Sequence, residues 1–206
     1  MIKDFFIVLL FSSLALTDDP TPFWRSKPEV YKKMKEERYV VVSAHTQSVG
    51  EEKKLTIISA GIIHAPVEFT HQRVLEFKKY PEFLSYIVDS PYDETTKNIF
   101  LHGAVLGYHV HMTLHIDTEK TEKGEKIHWK SIEGGFKGME GTIIEDPPKD
   151  SNDNEHTEIS LDAAYLGKTI GLPGVILDWG LEFAAQRTAT AMRSHIESEW
   201  EKSKKH

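Results

Sequence analysis

The sequence predicts an α+β fold in which a curved antiparallel sheet wraps around one long C-terminal helix. Residues 90–166 alternate apolar and polar side chains in four or five runs separated by turn signals, which indicates an antiparallel meander with one buried face. Residues 172–202 carry one long helical pattern whose first half is apolar on nearly every side. Such a helix must be surrounded by other structure, and the apolar face of a sheet can enclose it.

The elements before the meander follow from composition and spacing. Residues 26–38 predict a short helix with Ser26 as its cap and Pro28 in its first turn. Residues 39–47 and 54–66 are rich in Val, Ile and Thr, and they predict a β-hairpin. Residues 67–89 have apolar residues at helical spacing with a break at Tyr80-Pro81, so they predict two short helices that close one end of the sheet.

Histidines are concentrated in "NIFLHGAVLGYHVHMTLHI", residues 98–116. A helix would bring His111 and His115 onto one face, as in zinc enzymes. The Val, Thr and Ile content and the strict alternation favour a strand instead, in which these two residues lie ~13 Å apart. The histidines are then expected on the outer face of the sheet, away from the apolar residues.

Tight turns after Val105 and after Lys120 are predicted to set the register of this meander. The resulting outer-face pairs are His102 with His111 and His115 with His128. We predict a solvated patch with no resident metal. A metal ion shared between two cross-strand imidazoles remains the alternative, because paired Cβ atoms lie only ~5 Å apart.

Two segments carry a resemblance to a known family. Residues 61–87, "GIIHAPVEFTHQRVLEFKKYPEFLSYI", resemble the opening of START-like (SRPBCC) helix-grip proteins: a strand ending in Ala-Pro, a helix, and a Tyr-Pro-x-Phe-Leu helix. Residues 127–145 resemble their strand, Gly-rich turn and Gly-containing strand, and the glycines of "GGFKG" predict a bend or bulge. The likeness spans residues 37–200 and is greatest to the polyketide cyclase/dehydrase-like and coenzyme Q-binding START-type branch.

The resemblance implies a hydrophobic ligand held in a cavity between sheet and helix, and it transfers no catalytic residue. The expected lining residues are Tyr108, Val110, Met112, Leu114, Trp129, Ile143, Leu161 and Tyr165 from the sheet, and Ile176, Trp179 and Phe183 from the helix. We predict a non-enzymatic protein that binds or transfers a quinone or acyl lipid, without a cofactor. A cyclase- or aromatase-type enzyme and a surface interaction module remain alternatives. The oligomeric state is left open.

Composition restricts the partners and the compartment. The net charge of −7 argues against nucleic acid, and the absence of cysteine excludes disulfides and thiol chemistry. The apolar run from Phe5 to Leu16, followed by small residues and "DDP", predicts a signal peptide over residues 1–17 and export to the periplasm or outside. An uncleaved membrane anchor is the alternative. A helical segment over residues 18–36 and a START-like domain over residues 37–200 would follow, with membrane contact possible during ligand exchange.

Overall fold

The predicted architecture is confirmed by a computed structural model that describes Trp24 and residues 27–105, 107–148, 154–168 and 174–205. For Val105 and residues 174–179 only the backbone is described. The elements are α1 (Pro28–Glu36), β1 (Val41–Val49), β2 (Glu52–Ile63), α2 (Val67–Val74), α3 (Tyr80–Phe83), β3 (Ile87–Asp89), β4 (Tyr92–Asp93), β5 (Asn98–Val105), β6 (Tyr108–Lys120), β7 (Glu125–Gly134), β8 (Glu140–Asp146), β9 (Thr157–Gly167) and α4 (Gly174–Ser203).

These strands form one antiparallel sheet in the order β1-β2-β9-β8-β7-β6-β5-β3, with β4 paired to β5. The N-terminal hairpin is present as predicted, and its strands run further than the sequence suggested, up to a turn at Gly50-Glu51. The largest buried cluster lies on the inner face of the sheet. It joins Ile99, Ile116 and Ile127 from the sheet with Phe77 and with Ile196 of α4.

The register of β5 and β6 is as predicted, with Val105 opposite Tyr108 and His102 opposite His111. The predicted register of β6 and β7 is wrong by two residues: His115 pairs with Lys130 rather than with His128.

The cause of that error is the length of the turn. The loop between β6 and β7 spans four residues, 121–124, and the hydroxyl of Thr121 accepts the backbone N–H of Gly124 at 2.9 Å. A shift of two residues keeps every side chain on its predicted face, because the period of a strand is two.

The glycines of residues 134–138 serve a bulge, as the sequence predicts. Pairing between β6 and β7 slips between Thr113 and Leu114, and Gly134 at the end of β7 has φ of +83°. A Cβ at Gly134 would collide with the carbonyl oxygen of His111. Glycine is therefore required there for both conformation and close approach.

Helix α1 covers the outer face of β2. Met34 is fully buried against Ala60 and Ile62, and the Tyr31 hydroxyl donates to Oε1 of the buried Glu158 at 2.8 Å. The predicted cap, Ser26, lies outside the described residues. Lys27 occupies the capping position and makes no side-chain capping hydrogen bond.

Two short helices close one end of the sheet, but the break between them is not where it was predicted. Helix α2 ends at Val74, a single 3₁₀ turn covers Phe77–Lys79, and Pro81 lies inside the first turn of α3. Proline is compatible with that position because the first-turn N–H groups have no partner within the helix. Among the described residues, no helix is both long and apolar enough to cross a membrane.

Candidate functional site

An apolar cavity of about 370 Å³ lies between the inner face of the sheet and α4. Its volume is within the range of roughly 300–1,000 Å³ that is usual for small-molecule sites. Its walls come from β2, β5–β9, the 3₁₀ turn with α3, and one face of α4. The sheet side of the cavity is the face that the sequence predicts to be apolar, whereas the α4 residues that line it, from Leu181 to Arg193, lie mostly beyond the half of the helix predicted to be apolar.

Small side chains on α4 leave this space open. The helix presents Ala184, Ala185 and Ala189 to the cavity, at the spacing that returns residues to one face. On the opposite wall, Gly141 of β8 lies beside Trp129 of β7, and a Cβ there would collide with the indole ring. The wall is therefore shaped by an aromatic ring seated over glycine and by a row of alanines.

Four of the predicted lining residues line the cavity: Leu114, Trp129, Ile143 and Leu161. Three others, Val110, Met112 and Tyr165, pack against a neighbouring cluster that includes Phe136 and Met139. Tyr165 meets the Phe136 ring edge to face, with centroids 5.8 Å apart. Contact between a ligand and any of these seven predicted residues stays a prediction.

Two predicted lining residues lie elsewhere. Tyr108 is 47% exposed and Phe183 is 52% exposed, and neither lines the cavity. Tyr108 is the first residue of β6, beyond the part of the sheet that the cavity covers. Phe183 lies on the side of α4 opposite the cavity-facing residues, so its side chain is turned toward solvent. The side chains of Ile176 and Trp179 lie outside the described residues.

Sequence reasoning missed the polar residues of the cavity. The Tyr80 hydroxyl donates to the carbonyl of Val74 at 2.7 Å, and burial raises the pKa of Tyr80 well above its usual value. Thr188 donates to the carbonyl of Ala184 at 2.7 Å and also hydrogen-bonds the Tyr86 hydroxyl. Tyr80 and Thr188 thus already donate hydrogen bonds within the protein.

Arg193 is the charged member of the lining among the described residues. Its Nη1 donates to the backbone carbonyl of Arg38, just before β1. Its position could have been found from sequence, because residues 181, 185, 189 and 193 recur at intervals of four along one side of α4. Arg193 was not predicted to line the cavity, because this half of the helix is rich in polar residues.

A buried ion pair lies under α2, outside the set of cavity-lining residues. Nδ1 of His71 is 2.7 Å from Oε2 of Glu145, which is completely buried. The hydrogen bond to Glu145 raises the pKa of His71, and burial raises the pKa of Glu145. The pair therefore retains its proton to a higher pH than an isolated histidine does.

The histidines of β5 and β6 lie on the outer face of the sheet, as predicted. Nε2 of His102 is 2.8 Å from Nδ1 of His109, and the His102 ring stacks on His111 with centroids 4.1 Å apart. His115 instead contacts Asn98 and Asp117. Across the described part of the chain, no three His, Asp or Glu residues are arranged to hold a metal ion. The absence of a resident metal at this patch stays a prediction.

Comparisons with known proteins support the fold. No family profile and no curated protein matches the sequence. A START superfamily protein from Mycobacterium smegmatis is 14% identical, with a TM-score of 0.56 over 69% of this chain and 97% of that one. A STAR-related lipid transfer protein from Xanthomonas axonopodis is 12% identical, with a TM-score of 0.57 over 75% and 98%.

A third solved structure is the Zhui aromatase/cyclase from a Streptomyces species. It is 16% identical, with a TM-score of 0.52 over 79% of this chain and 94% of that one. Identities this low show the fold and not the activity. Together with the sheet order and the enclosed helix, they show that the chain has the START-like helix-grip fold.

Proposed function

We propose that this protein binds or transfers a hydrophobic, lipid-like small molecule of the quinone or acyl-lipid class, without catalysing a reaction on it. The apolar cavity between the sheet and α4 carries the proposal. Removing apolar ligand surface from water contributes about 25 cal/mol per Å², before the cost of ordering the ligand. The lipid transfer protein among the structural neighbours supports the same class of function.

Polar groups near the cavity also favour binding over catalysis. Acid–base catalysis needs a group whose pKa lies near the working pH. Burial raises the pKa of Tyr80 and of Tyr86, so both phenols stay protonated at neutral pH. The His71–Glu145 pair lies outside the lining. The likeness to an aromatase/cyclase favours a second candidate, an enzyme acting on a hydrophobic substrate.

A cavity-filling substitution tests the proposal. Ala185→Phe adds a phenyl ring inside the cavity, whereas Ser194→Phe adds the same ring on the exposed side of α4. The probe is a neutral, pyrene-labelled long-chain alcohol, and its fluorescence is titrated with each folded protein. We expect wild type and Ser194→Phe to bind alike and Ala185→Phe to bind at least about tenfold more weakly, because the bulk occupies the ligand's volume.

Two outcomes would contradict the proposal. One is unchanged affinity in folded Ala185→Phe, which would put the probe elsewhere on the protein. The other is the absence of probe binding by wild type. Turnover of an added aromatic polyketide-like substrate would favour the enzyme instead.

The proposal includes export and exchange of the ligand at a membrane surface. The apolar run of residues 5–16 and the small residues before Asp18 support it. N-terminal sequencing of protein from its own source is expected to begin near Asp18. An intact Met1 on protein in the cell envelope would indicate the membrane anchor, and an intact Met1 on cytoplasmic protein would remove export.

A further inference from the structure

Arg193 brings a positive charge to a wall that is otherwise uncharged among the described residues. A guanidinium stays protonated at any physiological pH. A site for a purely apolar ligand does not need a charged residue such as Arg193. Burying part of a charge is costly unless the charge is paired. The pairing of Arg193 is therefore informative about the ligand.

The only carboxylate near Arg193 among the described residues is already engaged. Glu197, one turn along α4, accepts from Nη2 of Arg38 through Oε2, and from the backbone N–H of His64 through Oε1 at 3.0 Å. The charged groups that act on Arg193 are Glu197 and Arg38. Among the described residues, Glu197 is thus the one carboxylate for two guanidiniums and is paired with Arg38, so the positive charge of Arg193 has no ion-pair partner of its own there.

One donor of Arg193 is also unused. Its Nη1 donates to the Arg38 carbonyl, while Nε is buried and has no hydrogen-bond partner within the described part of the chain. Buried donors in native proteins are nearly always satisfied, and hydrogen bonds between charged partners are the strong ones. An anion in the cavity beside Arg193 would compensate its charge directly, and it would reach the enclosed Nε once the guanidinium turns toward it.

We propose that the ligand is a single-chain amphiphile whose carboxylate head group binds Arg193 while its apolar tail fills the cavity. This inference rests on the proposed function and narrows its ligand class. The position of Arg193 suits such a molecule, because Arg193 touches the cavity on one side and the exposed Arg38 segment on the other. A charged head would then stay near water while the tail reaches toward Leu114 and Trp129.

Volume and charge favour a monoanionic, single-chain molecule. A cavity of about 370 Å³ is near the lower limit for ligand sites, too small for a two-chain phospholipid. One uncompensated positive charge matches one carboxylate, whereas a phosphate monoester carries between one and two negative charges at neutral pH. Dodecanoate, dodecanol and dodecyl phosphate separate these possibilities.

The experiment is displacement of the neutral pyrene-labelled alcohol by dodecanoate, dodecanol or dodecyl phosphate, at pH 7.5 and below their aggregation concentrations. We expect wild type to prefer dodecanoate by about tenfold or more, as a charged hydrogen bond allows. Arg193→Met is expected to abolish that preference, because it weakens the binding of dodecanoate and leaves the binding of dodecanol unchanged. Arg187→Met, which removes an exposed arginine on the same helix, is expected to keep it.

The results separate the two proposals. Equal affinity of wild type for dodecanoate and dodecanol would overturn the carboxylate inference and leave lipid binding intact. This comparison uses wild-type protein alone, so it does not depend on whether a variant folds. A preference for dodecyl phosphate over dodecanoate would overturn the choice of carboxylate. Failure of the alcohol probe itself to bind would overturn the proposed function.

Discussion

At the scale of single residues, the His71–Glu145 pair is the main charged contact in the interior beneath α2. Glu145 extends from β8 on the same side of the sheet as the cavity-lining Ile143, and α2 brings His71 onto it. Glu125 lies 4.0 Å from the other ring nitrogen of His71. Two carboxylates around one imidazole hold its proton, so this region is most stable when His71 is charged.

The stability that the His71–Glu145 pair contributes is therefore expected to fall as the pH rises through neutrality. The folded-state pKa of His71 is raised above 6.5, so its contribution is complete below pH 6.5 and is lost as pH rises through the folded value. The raised pKa of Glu145 acts in the same direction, from its usual 4.5 upward. Each pKa unit corresponds to about 1.4 kcal/mol. Urea unfolding between pH 6 and 9 measures the loss.

His71→Gln is expected to flatten this pH dependence above pH 6.5, because it removes the group that carries the proton. The control is His128→Gln, which changes an exposed histidine on the outer face of the sheet and is expected to retain the wild-type slope. Equal slopes in both variants would show that the pair does not couple protonation to folding.

At the scale of elements, the bulge between β6 and β7 depends on Gly134. Alanine there combines a positive φ with a collision against the His111 carbonyl. Gly138 has a comparable φ of +91°, yet a Cβ there would meet nothing within 4 Å. The two positions thus separate backbone strain from steric collision.

Gly138→Ala is expected to lower the free energy of unfolding by about 1–3 kcal/mol, the usual cost of a strained backbone conformation. Gly134→Ala is expected to cost more, because the backbone of β6 must also move. Chemical denaturation of the two variants checks the order. A Gly134→Ala protein as stable as Gly138→Ala would mean that the bulge relaxes freely.

A second prediction at the scale of elements compares the substitution of two methionines that lie on opposite sides of the sheet. Met34 is fully buried beneath α1, so Met34→Ala is expected to cost about 2–5 kcal/mol and to leave probe affinity unchanged. Met192 of α4 lines the cavity, so Met192→Ala mainly enlarges an existing space. We expect a smaller loss of stability there and a changed affinity. The reverse assignment of the two effects would place the binding site on the outer face.

Strands and faces were predictable from this sequence because the alternation of β6 extends over many residues. The two-residue turn predicted between Val105 and Tyr108 also led to the observed pairing of β5 with β6. The β6–β7 register was not predictable, since the Thr121 hydroxyl stabilises a four-residue turn that has no strong signature. Which residues line a cavity was predictable only in part. Periodicity gives the face of a residue, but not how far α4 extends over it, as Tyr108 shows.

At the scale of the whole molecule, the cavity exists because the sheet curves around a helix that is too slender to fill it. The inner face of the sheet carries large residues such as Ile127 and Trp129, whereas the centre of α4 carries alanines. Folding therefore does not depend on filling this volume with side chains. With no charge on the lining besides Arg193 among the described residues, the space suits a molecule that is mostly apolar.

Native mass spectrometry of protein purified from its own source, followed by organic extraction, tests the central claim most directly. The account predicts one bound amphiphile per chain, which passes into the organic extract and carries a single carboxylate. Ala185→Phe produced in the same cells is expected to lose that mass, while Ser194→Phe keeps it. A bare chain mass for wild type, combined with no uptake of added dodecanoate or dodecanol, would contradict the account.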